Sequence, residues 1–240
     1  MSSSFEISVI IPTYNEESRI VDLLHYLKEN SDPAKVEILV VDGQSTDQTV
    51  KKIADSGFRY IISPRKGRAE QMNLGAKHTT GEILYFVHAD SLPPETFASD
   101  IQKVLQKGYD SGSYRFAFDS DKWLLKINSW FTRFDVLMFR GGDQTLFVRR
   151  KTFNELDGFK NYDIMEDFDF IRRLRKQAKF TVLQKDTLIS ARKYQDNSYF
   201  KVNLVNLAIF IMFFLGVSQK KMVNTYKKLI QYTKFGNSDS

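Results

Sequence analysis

The amino-acid sequence predicts an α/β fold, with a mostly parallel sheet that carries helices on both of its faces. Three observations lead to this prediction. The strands predicted in the first half are apolar runs without polar alternation, which is typical of strands covered on both faces. Segments with the apolar spacing of helices separate these strands, as right-handed βαβ crossovers require. Polar clusters follow the strands, and open α/β sheets bind their ligands at that edge.

Strands and helices alternate through the first half of the chain. The predicted strands cover residues 7–11, 36–41, 58–62 and 82–87. The predicted helices cover residues 16–28, 70–78 and 94–105, and a further helix carries Val50, Ile53 and Ala54 behind a cap at Ser45 or Thr46. Polar clusters follow the four strands at residues 12–16, 42–47, 63–68 and 88–90, so we expect all four clusters at one edge of the sheet.

The second half is less regular. Strands are predicted over residues 113–118, 145–148 and 180–183, and a helix over 167–177. An aromatic stretch over 123–139 has helical spacing, which favours core packing or an apolar acceptor groove over base stacking. Residues 199–235 have the pattern of two helical pieces broken near Gly216. We therefore expect one domain over 1–198 and a C-terminal helical segment over 199–240, packed on the domain or associated with a membrane.

The composition is that of a globular protein with anionic partners. The 240 residues include 42% hydrophobic and 27% charged residues, enough for a sizeable core. The net charge of +6 suits a nucleotide diphosphate or an anionic membrane, but it is modest for a nucleic-acid binder, and no recognition motif for nucleic acid is present. The chain has no cysteine and no signal-peptide pattern, so we expect a cytoplasmic protein.

Residues 204–217 form an apolar run that only Asn206 and Gly216 interrupt. Its 14 residues fall short of the roughly 20 that cross a bilayer as a helix. Four lysines follow, at Lys220, Lys221, Lys227 and Lys228. Two interpretations stay open. The segment docks peripherally on the inner face of an anionic membrane and delivers a lipid acceptor, or it closes the core or a dimer interface.

Asp42 and the turn Lys66-Gly67-Arg68 are candidates for nucleotide binding. The Asp42 carboxylate can accept hydrogen bonds from a base N–H or a ribose hydroxyl. Its alternative role is that of a turn former, with Asp47 capping the next helix. The basic turn opens a predicted helix, where two cations and the backbone N–H groups favour an anion. A solvated basic loop is the alternative for this turn.

His88 and Asp90 end a strand that is otherwise apolar. Strand alternation predicts that both side chains point to the same side. An imidazole and a carboxylate there could hold Mn²⁺ or Mg²⁺ against a diphosphate, and Mn²⁺ tolerates the imidazole better. The alternative is a hydrogen-bonded core histidine beside an aspartate that caps a helix.

Glu166 and Asp167 stand at the start of a predicted helix. Paired carboxylates there can complement the helix dipole, or one of them can act as a general base toward an acceptor hydroxyl. Asp143 and Gln144 lie in a turn that either presents polar groups to a sugar or is a turn only. Arg192 either binds a leaving phosphate or is a surface cation.

Five segments, in their order and spacing, resemble the family-2 glycosyltransferases of GT-A fold. They are ISVIIPTYNEE (7–17), ILVVDGQSTDQTV (38–50), KGRAEQMNLGAKHTTGEILYFVHAD (66–90), GGDQTLFVRRKTFNELDGF (141–159) and MEDFDFIRRLRK (165–176). The resemblance covers nearly the whole chain. It is similar in particular to a bacterial subgroup with His-Ala-Asp in place of Asp-x-Asp, often grouped with carotenoid and other lipid glycosyltransferases.

The resemblance implies a nucleotide pocket at the first four strand ends. Its lining would include Pro12, Thr13, Tyr14, Glu16, Asp42, Gly43, Lys66, Gly67, Arg68 and Ala89. In such a pocket Asp42 contacts the base, which is usually uracil, and Arg68 lies nearby.

The resemblance also implies the metal and the catalytic residues. Asp90 would bind Mn²⁺ or Mg²⁺ between the two phosphates, while His88 replaces the first aspartate of the usual motif, which leaves its role open. Asp167 would be the catalytic base, with Glu166 beside it. The acceptor or phosphate side would include Asp143, Gln144 and Arg192.

The implied reaction is inverting transfer of one sugar from a nucleotide diphosphate sugar, usually a UDP-sugar, to a hydroxyl of a lipid or small-molecule acceptor. Single transfer is expected because the Gln-x-x-Arg-Trp signature of processive members is missing. A nucleotidyltransferase that makes nucleotide sugars is one alternative, but the chain has PTYNEE after the first strand instead of a glycine-rich loop with a lysine. A non-catalytic nucleotide-binding or membrane-scaffold protein is the other. Dinucleotide, P-loop and α/β-hydrolase motifs find no match.

Overall fold

The computed structural model describes residues 6–120, 123, 144–194 and 197–230. The strands are β1 (Ile7–Thr13), β2 (Val36–Asp42), β3 (Tyr60–Ile62), β4 (Ile83–Phe86), β5 (Ser91–Leu92), β6 (Ser111–Phe118), β7 (Leu146–Arg149) and β8 (Phe180–Ile189). The helices are α1 (Ile20–Glu29), α2 (Thr49–Asp55), α3 (Arg68–Lys77), α4 (Phe97–Gln106), α5 (Arg150–Glu155), α6 (Glu166–Gln177), α7 (Tyr199–Phe214) and α8 (Gln219–Leu229). A short 3-10 helix, Arg192–Tyr194, lies between β8 and α7.

The described strands form one sheet in the order β3-β2-β1-β4-β7-β6-β8-β5. β3, β2, β1 and β4 are parallel to one another. β7 runs antiparallel to both of its neighbours, β8 runs parallel to β6, and β5 runs antiparallel to β8. The predicted α/β fold with a mostly parallel sheet is confirmed. The carboxyl ends of the first four parallel strands therefore meet at one edge.

The sheet is buried on both of its faces, and β1 shows why its sequence lacks polar alternation. Ile7, Val9 and Ile11 belong to one apolar cluster, which also takes in α1 and α4. Ile10 belongs to a second cluster with α3 and α6. Each large aliphatic side chain buried in this way stabilises the fold by about 1.5–3 kcal/mol, so an apolar residue is favoured at every position of the strand.

Pro12 lies in a central strand without breaking the sheet. The last residue of β1 that pairs with β4 is Ile10, whose carbonyl accepts the N–H of Val87. Backbone groups alternate in direction along a strand, so the missing N–H of Pro12 falls on the β4 side, beyond the end of that strand. Proline therefore marks the point where β1 leaves its partner and the edge of the sheet opens.

Helix α1 begins at Ile20, four residues later than predicted. The backbone N–H of Glu16 donates to Oγ1 of Thr49 at 2.8 Å, and that of Glu17 donates to Oδ2 of Asp47 at 3.3 Å. These bonds hold the backbone of Glu16 and Glu17 against the segment that follows β2, and α1 begins after them.

Helix α2 begins at Thr49, so the predicted cap at Ser45 or Thr46 is wrong. Ser45 bonds instead to Asp42, which precedes it in the turn. Asp47 holds the helix start, because its Oδ1 accepts the N–H of Thr49 at 3.0 Å. The N-cap position itself belongs to Gln48, so Asp47 forms an Asx-turn before the helix and does not cap it.

Strand β8 continues to Ile189, well beyond the predicted residues 180–183. It pairs with β6 along its length, across a register shift between Tyr114 and Arg115, and with β5 at its end. β5 and α5 were not predicted, because two and six residues are too few to show a period. Of the aromatic stretch over 123–139, all but Trp123 lies outside the described residues.

Helices α7 and α8 confirm the two helical pieces predicted after residue 199. The break falls at Gly216, which has φ +70, and the N–H of Val217 bonds to the carbonyl of Met212 at 3.0 Å. This helix ending favours glycine because it needs the left-handed conformation. Both helices pack in a third apolar cluster with Ile164 and Tyr194. Within the described ranges, no helix is both long and apolar enough to cross a membrane.

Asp100 ties α4 to the other half of the sheet. Its carboxylate accepts hydrogen bonds from Nζ of Lys185 in β8 at 2.8 and 2.9 Å, and from Oγ1 of Thr96 at 2.7 Å. Burial favours the neutral acid, but these hydrogen bonds and the charges of Lys185 and Lys103 outweigh it. The pKa of Asp100 therefore lies below its ordinary value.

We expect Asp100→Asn to lower the free energy of unfolding by about 1 kcal/mol at neutral pH, because the charge-assisted bonds to Lys185 are lost. Since folding lowers the pKa of Asp100, the carboxylate stabilises the fold above the ordinary value of 3.8, and this contribution disappears as the pH falls through the folded value. Urea unfolding of both proteins across this range should show the gap closing in acid. Asp55→Asn, at an exposed site, is the control, and a gap independent of pH would contradict the assignment.

Candidate functional site

The loops that follow β1 and β2 are bound to each other at the carboxyl edge of the sheet. Asn15, in a left-handed conformation with φ +52, accepts the N–H of Thr46 at 2.8 Å and donates its own N–H to the hydroxyl of Ser45 at 2.9 Å. Tyr14 and Glu16 flank Asn15, the first partly exposed and the second buried. These cross-links fix the two loops that carry the predicted nucleotide-binding residues.

Gln71 was absent from the predicted site, yet it pins this edge from α3. Its Nε2 donates to the carbonyls of Thr13 at 2.8 Å and Val41 at 2.7 Å, at the ends of β1 and β2. Gly43 leaves room for it, since a Cβ there would lie 3.0 Å from the same Nε2. The sequence holds one clue to this role. Gln71 lies one helical turn before Gly75, and so on the face of α3 that packs against the sheet.

Asp42 ends β2 and is wholly buried. Its carboxylate accepts the N–H of Ser45 at 2.8 Å and the hydroxyl of the same residue, and its carbonyl accepts the N–H of Ser63 at 2.8 Å. These are the bonds of a turn former, the alternative that the sequence left open. Contact with a base stays a prediction for this residue.

The turn Lys66-Gly67-Arg68 opens α3, as predicted. Gly67 has φ +125, a conformation that favours glycine. Nζ of Lys66 lies 5.1 Å from the centre of the Tyr14 ring, a cation–π contact that joins this turn to the end of β1. A helix N-terminus with two cations thus lies beside the strand end, which is the setting predicted for an anion.

Arg68 and His88 meet Glu166 and Asp167 at this edge. Nε of Arg68 is 2.7 Å from Oε1 of Glu166, and its Nη1 is 4.0 Å from Oδ2 of Asp167. Nε2 of His88 is 3.9 Å from the same Oδ2. His88 and both carboxylates are buried, while the Arg68 side chain is 39% exposed. The structure therefore brings the predicted anion site and the predicted catalytic pair together.

Glu166 and Asp167 are the first residues of α6. Met165, which precedes them, has φ +67, a conformation that costs a non-glycine residue energy and is concentrated at functional sites. The helix dipole favours carboxylates here. Oε2 of Glu166 is nonetheless buried without a hydrogen-bond partner among the described residues. A buried carboxylate oxygen in this state is characteristic of sites that hold a ligand or a reacting group.

His88, Ala89 and Asp90 lie in a turn and not in a strand. β4 ends at Phe86, and the N–H of Ser91 bonds to the carbonyl of His88 at 3.0 Å. The alternation that predicted a common side for His88 and Asp90 therefore does not apply, and His88 is buried while Asp90 is half-buried. Helix capping by Asp90 is also wrong, because α4 begins several residues later.

Strands β5 and β8 carry Arg192 to the same edge. The N–H of Ser190, at the end of β8, donates to the carbonyl of Asp90 at 3.1 Å. Arg192 follows, and its Nη2 is 2.8 Å from Oε2 of the buried Glu16. Arg192 therefore lies across the loop after β1, and neither the phosphate role nor the surface role predicted for it anticipated this ion pair.

The remaining predicted residues line the edge or fall outside it. Pro12, Thr13, Gly43 and Ala89 are buried at the strand ends and turns. Gln144 is buried two residues before β7. Asp143 lies outside the described residues, so its acceptor-side role stays a prediction.

The donor set suits a metal that binds together with a diphosphate. Within residues 6–120, 123, 144–194 and 197–230, no three His, Cys, Asp or Glu side chains are grouped so that they could hold a metal ion. Asp90 offers a half-buried carboxylate, and His88 lies against Asp167. A cation bound to a nucleotide diphosphate needs only one or two protein carboxylates, because phosphate and water oxygens complete its shell. The carboxylate of Asp90 is therefore compatible with such a cation, and the roles of Asp90 and His88 as ligands of Mn²⁺ or Mg²⁺ stay predictions.

An open α/β sheet with a basic helix start and paired carboxylates at its carboxyl edge is the architecture of nucleotide-binding α/β enzymes. The chain belongs to the family described as Glycosyl transferase family 2, which matches residues 8–178. The family resemblance of the five sequence segments is thereby confirmed. The narrower His-Ala-Asp subgroup stays a prediction.

Relatives in this family include named and uncharacterized transferases. An uncharacterized glycosyltransferase of Mycobacterium tuberculosis is 30% identical over 124 residues, which cover 50% of this chain and 47% of the relative. An undecaprenyl-phosphate 4-deoxy-4-formamido-L-arabinose transferase of Proteus mirabilis is 21% identical over an alignment of 249 residues, which covers 97% of this chain and 76% of the relative. The chain spans about half the length of the mycobacterial relative.

Two solved structures share the fold. S. aureus TarS in complex with UDP-GlcNAc has a TM-score of 0.66 and 18% identity, over 98% of this chain and 76% of that chain. The mannosyltransferase PcManGT of Pyrobaculum calidifontis, in complex with GDP-Man and Mn²⁺, also has a TM-score of 0.66 and 18% identity, over 95% of this chain and 68% of that chain. These similarities confirm the GT-A fold that the sequence resemblance implied.

We expect Gln71→Met to lower the free energy of unfolding by about 1–3 kcal/mol, because the carbonyls of Thr13 and Val41 each lose the hydrogen bond from its amide, although Thr13 keeps the N–H of Gly43. Gln106→Met, at the exposed end of α4, is the matched control and should change it by less than about 0.5 kcal/mol. Urea unfolding measures both. A Gln71 variant as stable as the control would show that the edge is held by other contacts.

Proposed function

We propose that this protein transfers one sugar from a UDP-sugar to a hydroxyl group of a lipid or small-molecule acceptor, with inversion at the anomeric carbon. The observation that carries the proposal is the contact of Arg68 with Glu166 and of His88 with Asp167, at 2.7 and 3.9 Å. It unites a basic helix start with a buried carboxylate pair in a family 2 chain. Anion binding and proton removal, the two tasks of such a transfer, therefore have adjacent residues.

The nucleotide is assigned to the end of β1 and the basic turn. The partly exposed ring of Tyr14 and the ammonium group of Lys66 lie together, so an aromatic surface and a positive charge are available to the nucleotide at one place. The N-terminus of α3 offers backbone N–H groups and Arg68 to the diphosphate. UDP is the proposed nucleotide, supported by the UDP-GlcNAc complex of TarS, and Asp42 is the proposed contact for its base.

Asp167 is the proposed catalytic base. The acceptor oxygen forms a bond to the anomeric carbon as its proton passes to Oδ2 of Asp167, and the bond from the anomeric carbon to the phosphate oxygen breaks. The nucleotide diphosphate leaves with the electron pair of that bond. Glu166 holds Arg68 in place, and His88 lies 3.9 Å from Oδ2 of Asp167, so both flank the base. A single displacement of this kind inverts the anomeric centre.

Asp90 is the proposed ligand of a divalent cation, with His88 as a second candidate. When bound, Mn²⁺ or Mg²⁺ neutralises the negative charge that develops on the departing diphosphate. Mn²⁺ is supported by the Pyrobaculum calidifontis structure, which is a complex with GDP-Man and Mn²⁺. Arg192, which now pairs with Glu16, is the proposed cation on the phosphate side.

The acceptor is proposed to be a lipid, met through peripheral contact with an anionic membrane. The Proteus mirabilis relative, whose name gives undecaprenyl phosphate as its partner, supports a lipid acceptor. A nucleotidyltransferase is the rival enzyme. It would release pyrophosphate from UTP and a sugar phosphate, whereas the proposed activity releases UDP from a UDP-sugar.

We expect wild-type protein to release UDP slowly from a UDP-sugar with Mn²⁺, and Asp90→Ala to abolish this release, because the cation loses its carboxylate. A coupled UDP assay measures the rate with and without chelator. Glu95→Ala, at an exposed carboxylate nearby, is the control and should retain the wild-type rate. Pyrophosphate release from UTP and a sugar phosphate would instead identify a nucleotidyltransferase.

We expect Asp167→Asn to lower the rate of sugar transfer by about 10²–10⁴-fold while UDP affinity, measured by calorimetry, stays near the wild-type value. The amide keeps the shape of the side chain but cannot take the proton. Asp163→Asn, on the exposed loop before α6, serves as the control. Loss of UDP affinity in Asp167→Asn would move this residue from the acceptor side to the donor side.

A further inference from the structure

Helix α7 is apolar on two opposite sides. Its inner side carries Val202, Val205 and Ile209, which are buried in the third apolar cluster. Its outer side carries six large apolar residues that are 48–75% exposed, namely Phe200, Leu204, Leu207, Ile211, Phe214 and Leu215. Steps of three and four residues separate the first five of these along the helix, and Leu215, four residues after Ile211, caps its end, so the six side chains lie in one stripe. Contiguous apolar surface of this kind marks an interaction site.

The charged side chains of the segment that carries this outer stripe have one sign. Residues 199–230 contain five lysines and no aspartate or glutamate, so they hold +5 of the net charge of +6. The lysines are all exposed, at Lys201, Lys220, Lys221, Lys227 and Lys228. A segment that combines an exposed apolar stripe with exposed lysines is complementary to a surface with anionic headgroups above an apolar interior.

A second copy of the chain is a poorer occupant of the stripe. Pairing two stripes would bring two groups of five lysines toward each other, and like charges oppose such contact. Crossing the bilayer is excluded for α7 itself, because its 16 residues span about 24 Å at 1.5 Å per residue, less than the roughly 30 Å of hydrocarbon. The helix fits the interface plane instead.

Helix α7 packs next to the carboxylate pair. Phe168, which follows Asp167 in α6, packs against Phe210 and Phe213 of α7 at ring distances of 5.0 and 5.6 Å. At the start of α8, Gln219 accepts the backbone N–H groups of residues 163 and 164, three and two residues before Glu166, both at 3.2 Å. Whatever α7 and α8 bind therefore lies close to the acceptor side of the proposed site.

We infer that the outer face of α7, together with the lysines of α8, docks on an anionic membrane with α7 in the plane of the interface. The lysines lie against the headgroups, and the stripe enters the boundary of the acyl chains. Where the proposed sugar transfer holds, this orientation presents the acceptor side of the site to lipids in that membrane, so the acceptor is a membrane-resident lipid.

Flotation of the full chain with vesicles tests the docking surface. The protein should float with phosphatidylcholine vesicles that contain phosphatidylglycerol, and raised salt should weaken this binding. It should bind phosphatidylcholine alone much more weakly. Failure to float with either vesicle would overturn the inference.

Two double variants separate the apolar and the charged parts. Leu204→Asn with Leu207→Asn should lower the fraction bound at all salt concentrations, whereas Lys220→Gln with Lys221→Gln should weaken binding to anionic vesicles by roughly tenfold or more, mostly at low salt. Lys51→Gln with Lys107→Gln removes two exposed lysines elsewhere and should bind like wild type. Equal binding by all three variants would contradict the assignment of this face.

Two further measurements distinguish the alternatives. If the stripe joins two copies, light scattering will show a dimer that Leu204→Asn with Leu207→Asn converts to a monomer, and the membrane assignment fails. UDP release from a UDP-sugar in the absence of vesicles should be the same in wild type and in both double variants. Docking without UDP release would support the membrane-docking face and refute the proposed sugar transfer. UDP release without docking would support the transfer and refute the docking face.

Discussion

The ion pair between Arg68 and Glu166 is the contact on which the site depends. The carboxylate of Glu166 is buried, and a buried carboxylate costs several kcal/mol unless a cation compensates it. Arg68 and Glu166 are each the first residue of a helix, so their 2.7 Å contact fixes the starts of α3 and α6 against each other. One end of that contact belongs to the anion-binding turn and the other to the carboxylate pair. The two halves of the chain therefore meet at this pair.

The two carboxylates of the pair differ in their surroundings. Glu166 has Arg68 at close range, whereas Asp167 has Arg68 at 4.0 Å and His88 at 3.9 Å. The guanidinium of Arg68 already occupies Oε1 of Glu166, which leaves this carboxylate less accessible to an acceptor hydroxyl. This difference supports Asp167 over Glu166 as the proposed base. It also places His88 beside that base, whereas the sequence indicated only a metal ligand or a core histidine at this position.

Much of the fold was predictable because its cause is local. Strands such as 36–41 are runs of apolar residues, and their burial on both faces leaves a pattern in the sequence. The ion pair of Arg192 with Glu16 leaves no pattern in the sequence, because its two residues are 176 positions apart. The strand β5, which helps to bring them together, has only two residues and was not predictable either. The role of Gln71 was not predicted for a similar reason. It bonds to backbone carbonyls, and every residue has a carbonyl, so the sequence does not reveal the partners.

The two edges of the sheet hold their buried charges in different ways. At the amino edge, both oxygens of Glu37 are engaged. Its Oε1 accepts hydrogen bonds from the hydroxyl of Ser8 at 2.8 Å and the backbone N–H of Gly81 at 3.1 Å, and its Oε2 lies 3.2 Å from Nη1 of Arg59. At the carboxyl edge, Arg68 meets Oε1 of Glu166, while Oε2 is buried without a hydrogen-bond partner among the described residues. Because buried carboxylate oxygens are normally hydrogen-bonded, Glu37 is accounted for as a structural residue, whereas Oε2 of Glu166 is not. This contrast, and not burial alone, separates the carboxyl edge from the amino edge and agrees with the proposed site.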